Sequence, residues 1–211
     1  GRWVPLPPLP ELDTEFAAQS RRGTKPFGED LDGRPGYAGR ARWDAPGGRA
    51  VVQVTAFLND ADRRLHGDEY AWRTDFRWLS TELELAPGLL FVGEWGTGTS
   101  RMGIAPPGSR SSSRVDVLYD VLYGLLTWER GRVRLTARYD DFRVEDRDDT
   151  PGDDNREDGS AWTAALLVRL GERWRLGAEW LRLAADRPAA RALGAPTLDG
   201  DSLRFELRWA F

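Results

Sequence analysis

Residues 201–211 read DSLRFELRWAF. In an extended chain successive side chains point to opposite faces. Leu203, Phe205, Leu207, Trp209 and Phe211 therefore share one face, and Arg204, Glu206 and Arg208 share the other. Terminal residues of water-soluble domains are usually polar and fray. A strictly alternating end suits either the edge of a soluble β-sandwich or a strand with lipid on one side and water on the other.

Working upstream, the same period of two recurs between turn signals. It marks strands over 37–44, 49–58, 70–85, 88–98, 114–128, 131–143, 160–170, 173–184 and 202–211. Val133, Leu135, Ala137 and Tyr139 oppose Arg132, Arg134, Thr136 and Arg138, and Trp174, Leu176, Ala178 and Trp180 oppose Arg175, Gly177 and Glu179. Val115, Val117, Tyr119, Val121, Tyr123 and Leu125 also keep a period of two, with the β-branched and aromatic residues that strands favour. Segment 70–85 changes phase: Trp72, Phe76 and Trp78 are followed by Leu79, Thr81, Leu83 and Leu85, and one extra residue near Trp78 or Leu79, a β-bulge, would restore a single apolar face.

Between strands the breaks run short, long, short, long: 45–48, 59–69, 86–88, 99–114, 129–131, 145–159, 171–173 and 185–201. A soluble meander has no reason to gather every long connection at one end. A transmembrane β-barrel has short turns on one side of the membrane and long loops on the other. The first 36 residues are different in kind, a proline-rich extended segment and loop (RWVPLPPLPEL, then SRRGTKPFGEDLDGRPG).

Composition narrows the chemistry. A net charge of -4 over 211 residues argues against a nucleic-acid-binding polycation, and all the basic residues but Lys25 are arginines. With no cysteine and one histidine, thiol catalysis, disulfides, cysteine-bound metals and histidine relays have no residues to use. Mean hydropathy is -0.55 and no apolar run approaches the length of a spanning helix. That does not weigh against a barrel, in which only alternate residues face lipid.

The alternating carboxy-terminal strand, carried by Leu203, Phe205, Leu207, Trp209 and Phe211, resembles the terminal signature of Gram-negative outer-membrane β-barrel proteins. The stretch YDDFRVEDRDDTPGDDNREDGSAW, followed by ERWRLGAEWL, is similar to the last hairpins of proteobacterial porin-like proteins. This resemblance implies an all-β, antiparallel, up-and-down transmembrane barrel, or the carboxy-terminal part of one, in the outer membrane, with short periplasmic turns and long extracellular loops. Phe205, Leu207, Trp209 and Phe211 would form the signal read by the barrel assembly machinery. Lipid and lipopolysaccharide would surround the barrel, small hydrophilic solutes would pass through it, and a homotrimer is one assembly the resemblance allows.

A barrel with charges on its inner face has an aqueous bore. The residues expected to line it are Arg73, Asp75, Arg77, Glu94, Asp116, Asp120, Arg132, Arg134, Arg138, Arg175, Glu179, Arg204, Glu206 and Arg208, because so many charges cannot enter a dry core. Trp43, Trp72, Trp95, Trp128, Trp162, Trp174 and Trp209 fall near strand ends, as an interfacial girdle requires. Nine strands ending on the turn side leave an odd count, whereas bacterial single-chain barrels have an even one. The expectation is that residues 37–211 are the carboxy-terminal part of a larger barrel, or that residues 2–16 add one short strand.

Other clusters carry less. The acids of 145–159 lack the spacing of a calcium loop and are split by Pro151 and Gly152, so they read as a solvated loop. His66 lies in a polar loop with no nucleophile elbow in the chain, and the glycines of GEWGTGTSRMG (93–103) match no phosphate-binding spacing. Neither catalytic residues nor a metal or cofactor are expected. Two other readings stay open: a soluble secreted β-sandwich that binds carbohydrate through exposed tryptophans, and an outer-membrane enzyme built around His66.

Overall fold

A computed structural model describes residues 31–66, 69–151, 153–188, 191, 194 and 196–209. The proposed extra strand within 2–16, and Phe211, lie outside the described residues. The strands in chain order are β1 (Tyr37–Asp44), β2 (Ala50–Asn59), β3 (Leu65–His66), β4 (Glu69–Tyr70), β5 (Trp72–Ala86), β6 (Leu89–Met102), β7 (Val115–Arg130), β8 (Val133–Asp146), β9 (Glu157–Arg169), β10 (Trp174–Asp186) and β11 (Thr197–Trp209). Nine of them form one antiparallel up-and-down sheet, ordered β1-β2-β5-β6-β7-β8-β9-β10-β11, and β3 and β4 make a separate small hairpin. Short turns lie along one edge of the sheet and long loops along the other. The sheet is open: β1 and β11 share no ladder.

Cross-strand partners point to the same side, so the register assigns every side chain a face. One hydrogen-bonded row runs Trp43, Val52, Thr81, Gly93, Gly124, Tyr139, Trp162, Arg182, Asp201. It begins beside the short turn on β1, reaches β10 at Arg182, eight residues beyond Trp174, and ends on β11 at Asp201. The strands are thus strongly staggered. We name the two sides the Phe205 face and the Arg138 face.

Polarity on these faces inverts along the strands. In the half next to the short turns, the Phe205 face is apolar on every strand of the sheet, from Trp43 and Val54 through Leu79, Trp95, Leu122, Leu135 and Leu166 to Leu176 and Leu207, while the Arg138 face is charged. In the half next to the long loops the Phe205 face carries Arg73, Asp75, Arg77, Asp116, Asp120, Asp141, Arg143, Asp158, Arg182 and Asp201. There the Arg138 face carries Trp72, Phe76, Trp78, Val117, Tyr119, Phe142 and Leu183.

This inversion corrects two sequence expectations. β5 has no bulge at Trp78 or Leu79: its pairing with β6 is continuous from Trp72 to Glu84 and shifts only between Glu84 and Ala86. Its apolar residues change faces because their surroundings change, so no repair is needed. Several strands also extend further towards the long loops than alternation indicated, β6 to Met102, β8 to Asp146 and β11 back to Thr197. There polar residues and glycines occupy ladder positions and resemble loop.

The short turns are built by residues that tolerate them. Pro87 presets φ, Gly88 takes φ +77°, and the Glu129 N–H donates to the Gly88 carbonyl at 2.7 Å. Within the sheet, Gly96 and Gly98 make room for rings on the Arg138 face. Phe76 lies 5.2 Å from Trp78 and 5.8 Å from Tyr119, centroid to centroid. A Cβ at Gly96 would meet Trp78 Cδ1 and Nε1 at 2.6 Å, and one at Gly98 would collide with the Phe76 ring and the Asp75 carbonyl. Gly98→Ala is therefore expected to destabilise by about 1–3 kcal/mol. Gly39→Ala, at a site in β1 with nothing within 4 Å, should be near neutral. Denaturant midpoints of the two variants measure the difference; equal midpoints would show that the rings do not lie against the sheet in this way.

Candidate functional site

The apolar belt of the Phe205 face is not covered. Among the described residues no second sheet stacks on it, and Phe205 is 74% exposed, Leu203 62% and Trp43 57%. This architecture is a single sheet and not the two-layer sandwich of the soluble reading. Two rows of aromatic residues bound the belt. Trp43, Trp128, Trp174 and Trp209 stand beside the short turns, with the Trp174 and Trp209 rings stacked at 5.9 Å. Trp95, Tyr139, Trp162 and Trp180 stand six or seven residues further along their strands, about 20 Å away at 3.3 Å per residue. The polar tips of this second row aim away from the belt. Trp180 Nε1 donates to Asp201 Oδ1 at 3.1 Å, and the Tyr139 hydroxyl donates to Asp141 Oδ2 at 3.2 Å. Trp95 and Trp162 thus sit mid-strand and not at strand ends, and Trp72 leaves the girdle altogether for the Arg138 face.

Behind the belt, the Arg138 face is a field of paired charges. Arg138 donates to Asp140 at 2.5 Å and lies 4.3 Å over the Tyr123 ring. Ser80 donates to Glu94 at 2.7 Å, and Arg42 pairs with Asp44 at 2.8 Å. Glu129 accepts from both Arg134, at 2.5 Å, and Arg169, at 3.1 Å. Arg208 pairs with Glu206. Arginines and carboxylates interleave across the strands, so the face is strongly polar with little net sign.

Of the residues expected to line a bore, Glu94, Arg134, Arg138, Arg175, Glu179, Arg204, Glu206 and Arg208 share this face. Arg132 joins them from the β7–β8 turn, where its carbonyl accepts the Arg169 N–H at 2.9 Å. Arg73, Asp75, Arg77, Asp116 and Asp120 do not: the register puts them on the Phe205 face beyond the second aromatic row. The cause is that β5 and β7 are each apolar on both faces in different halves. The odd-numbered residues of β7 look like the lipid side until Arg138 fixes Leu125 to the charged side. Tyr123 belongs to the charged face for the same reason, opposite Asp140. Of the terminal signature, Phe205, Leu207 and Trp209 lie on the apolar belt.

Long loops fold back at the other end. Tyr70, from the small hairpin, is buried against Met102 and Val115 with Trp72 beside it, on the Arg138 face. His66 Nε2 lies 2.9 Å from Asp62, whose carboxyl that contact holds below the usual range. The acidic loop is built rather than merely solvated. Asp148 is 2% exposed and accepts the backbone N–H groups of Asp116, at 2.8 Å, and Thr150, at 2.9 Å. Asp146 accepts those of Asp148 and Asn155. Arg110 reaches over from the preceding loop to the Asp148 carbonyl at 2.6 Å. These carboxylates cap amides and lock two loops together.

Burial, followed by repulsion from Asp148, pushes the Asp153 carboxyl up to about 6. A raised acid binds its proton more tightly in the folded loop than in the unfolded chain, so stability is greatest at low pH. Loop 147–156 is expected to lose protection as pH rises from about 4 to 6 and to change little above that. Rate-corrected amide hydrogen exchange should show this, and Asp153→Asn should abolish it; an Asp153 carboxyl titrating near 4 would contradict it.

No family model and no curated protein matches this chain.

Proposed function

We propose that the sheet is part of the wall of an outer-membrane β-barrel of porin type, through which small hydrophilic solutes diffuse passively along the Arg138 face. The carrying observation is the exposed apolar belt that crosses the whole sheet between two aromatic rows, directly opposite a charged face. In water that belt would leave an apolar patch far larger than soluble monomers tolerate. In a bilayer it meets hydrocarbon, the indoles and the Tyr139 ring sit at the interfaces, and the polar tips of Trp180 and Tyr139 reach the headgroups.

Three further features support this reading. The stagger is what tilted strands need in order to close. The long loops gather on one side, with the loop-side half of each strand standing clear of the bilayer, where the Phe205 face is charged because it meets water. The lower, charged part of the Arg138 face then lines an aqueous bore, and the interleaved signs give a transverse field with weak selectivity. Phe205, Leu207 and Trp209 would present the assembly signal, and lipopolysaccharide would meet the charged outer zone. No covalent chemistry is assigned.

Two kinds of experiment test it. The native protein should require detergent for extraction, should run differently on a denaturing gel before and after boiling, and should give ohmic conductance steps in planar bilayers. Recovery in the soluble fraction would overturn the proposal. Second, Ala164→Arg places a charge in the belt between Ala137 and Trp180. It should lower folding stability in lipid vesicles by about 2–4 kcal/mol. Ala165→Arg, one residue away on the Arg138 face and directly opposite Glu179, should cost little. Equal effects would show that neither face meets lipid.

A further inference from the structure

We propose that the short-turn edge of the Arg138 face binds a tetrahedral oxyanion, either free phosphate or the phosphate group of a small solute. The inference rests on the register, the ion pairs and a small cavity, and does not depend on the membrane reading. Arg132, Arg169, Arg175 and Arg208 form one row across four neighbouring segments. Arg169 is directly opposite Arg175, Arg175 is directly opposite Arg208, and the Arg132 carbonyl accepts the Arg169 N–H. Strands lie 4.7–4.9 Å apart in this direction, and like charges directly opposite are destabilising.

The nearby carboxylates do not neutralise the row. Glu129 is already shared by Arg134 and Arg169, and Glu206 is taken by Arg208. Arg132 and Arg175 have no carboxylate partner among the described residues. Both line a cavity of about 100 Å³ with Arg134, Arg169, Leu167 and Glu129, the one carboxylate in its wall. That is room for several water molecules and far below the volume of a drug-sized pocket. A tetrahedral anion fits it. Guanidinium forks bind phosphate oxygens in pairs, which a spherical halide cannot match. An oxyanion held between Arg132 and Arg175 would thus relieve the repulsion, with selectivity over chloride.

The test is a phosphorus NMR titration of inorganic phosphate, and separately of glycerol phosphate, with the folded full chain. Saturable binding of inorganic phosphate that survives a large excess of chloride is expected. Glycerol phosphate binding equally well would show that the site takes the terminal phosphate of an organic solute; its exclusion would show that the site takes the free ion. Arg175→Gln and Arg132→Gln should each weaken binding roughly tenfold, about 1.4 kcal/mol. Arg175→Lys should fall between, keeping charge without the fork, and Arg143→Gln on the other face should change nothing. Circular dichroism of each variant guards against misfolding. Displacement of phosphate by an equal concentration of chloride, or undiminished binding in both glutamine variants with their strand signal intact, would overturn the proposal.

Discussion

An almost unbroken hydrogen-bonded register from β1 to β11 is the constraint on which the rest of the molecule depends. A slip of one residue in any pair would send every side chain beyond it to the opposite face. The single shift, between Glu84 and Ala86, lies beside a short turn where little sheet remains to be disturbed. Because the register holds, the belt, the aromatic rows, the charged field and the arginine row are all consequences of which residues are odd and which are even in each strand. Gly96 and Gly98 serve this constraint too, since they let large rings cross the ladder without forcing the strands apart.

Within that frame the inversion of polarity is informative because a single solvent cannot produce it. A sheet with water on one side and a core on the other keeps one phase along its length. Here the Phe205 face is apolar for about 20 Å and then charged, while the Arg138 face does the reverse. From β5 to β11 the polarity of the two faces therefore changes over at the level of Trp95, Tyr139, Trp162 and Trp180. The hydrogen bonds from Trp180 and Tyr139 to aspartates mark that boundary at atomic scale. Above it, apolar residues of the Arg138 face find partners in the folded-back hairpin, through Tyr70 on Met102 and Val115.

Much of this was legible from residues alone because period-two alternation and turn chemistry are local. β8, β10 and β11 carry one phase through their turn-side halves, and the charged positions Arg134, Arg138, Arg175, Glu179, Arg204, Glu206 and Arg208 fell on one face as read. β5 and β7 were not legible. Both put apolar residues on both faces, and only a neighbour's register settles which half is which. Arg73, Asp75, Arg77, Asp116 and Asp120 lie on the Phe205 face, away from the other charged positions, for that single reason. The acidic loop misled differently: a run of aspartates looks solvated, yet Asp146 and Asp148 accept backbone amides from residues as far away as Asp116, and such pairings leave no trace in composition.

The two open edges complete the argument. Among the described residues β1 and β11 each present a row of unpaired backbone groups, a template for aggregation in water and an untenable arrangement in hydrocarbon. In a nine-stranded antiparallel meander the first and last strands run in the same direction. They cannot pair with each other in antiparallel fashion, however far the sheet curls. Antiparallel closure needs an odd number of further strands between them, whichever chain provides those strands. The stagger already built into the sheet, with one ladder row drifting eight residues beyond Trp174 by the time it reaches β10, fixes the tilt those strands must continue. In the proposed barrel the belt, whose exposed apolar residues reach Trp43 on one edge strand and Phe205 on the other, would set which face those strands turn outward.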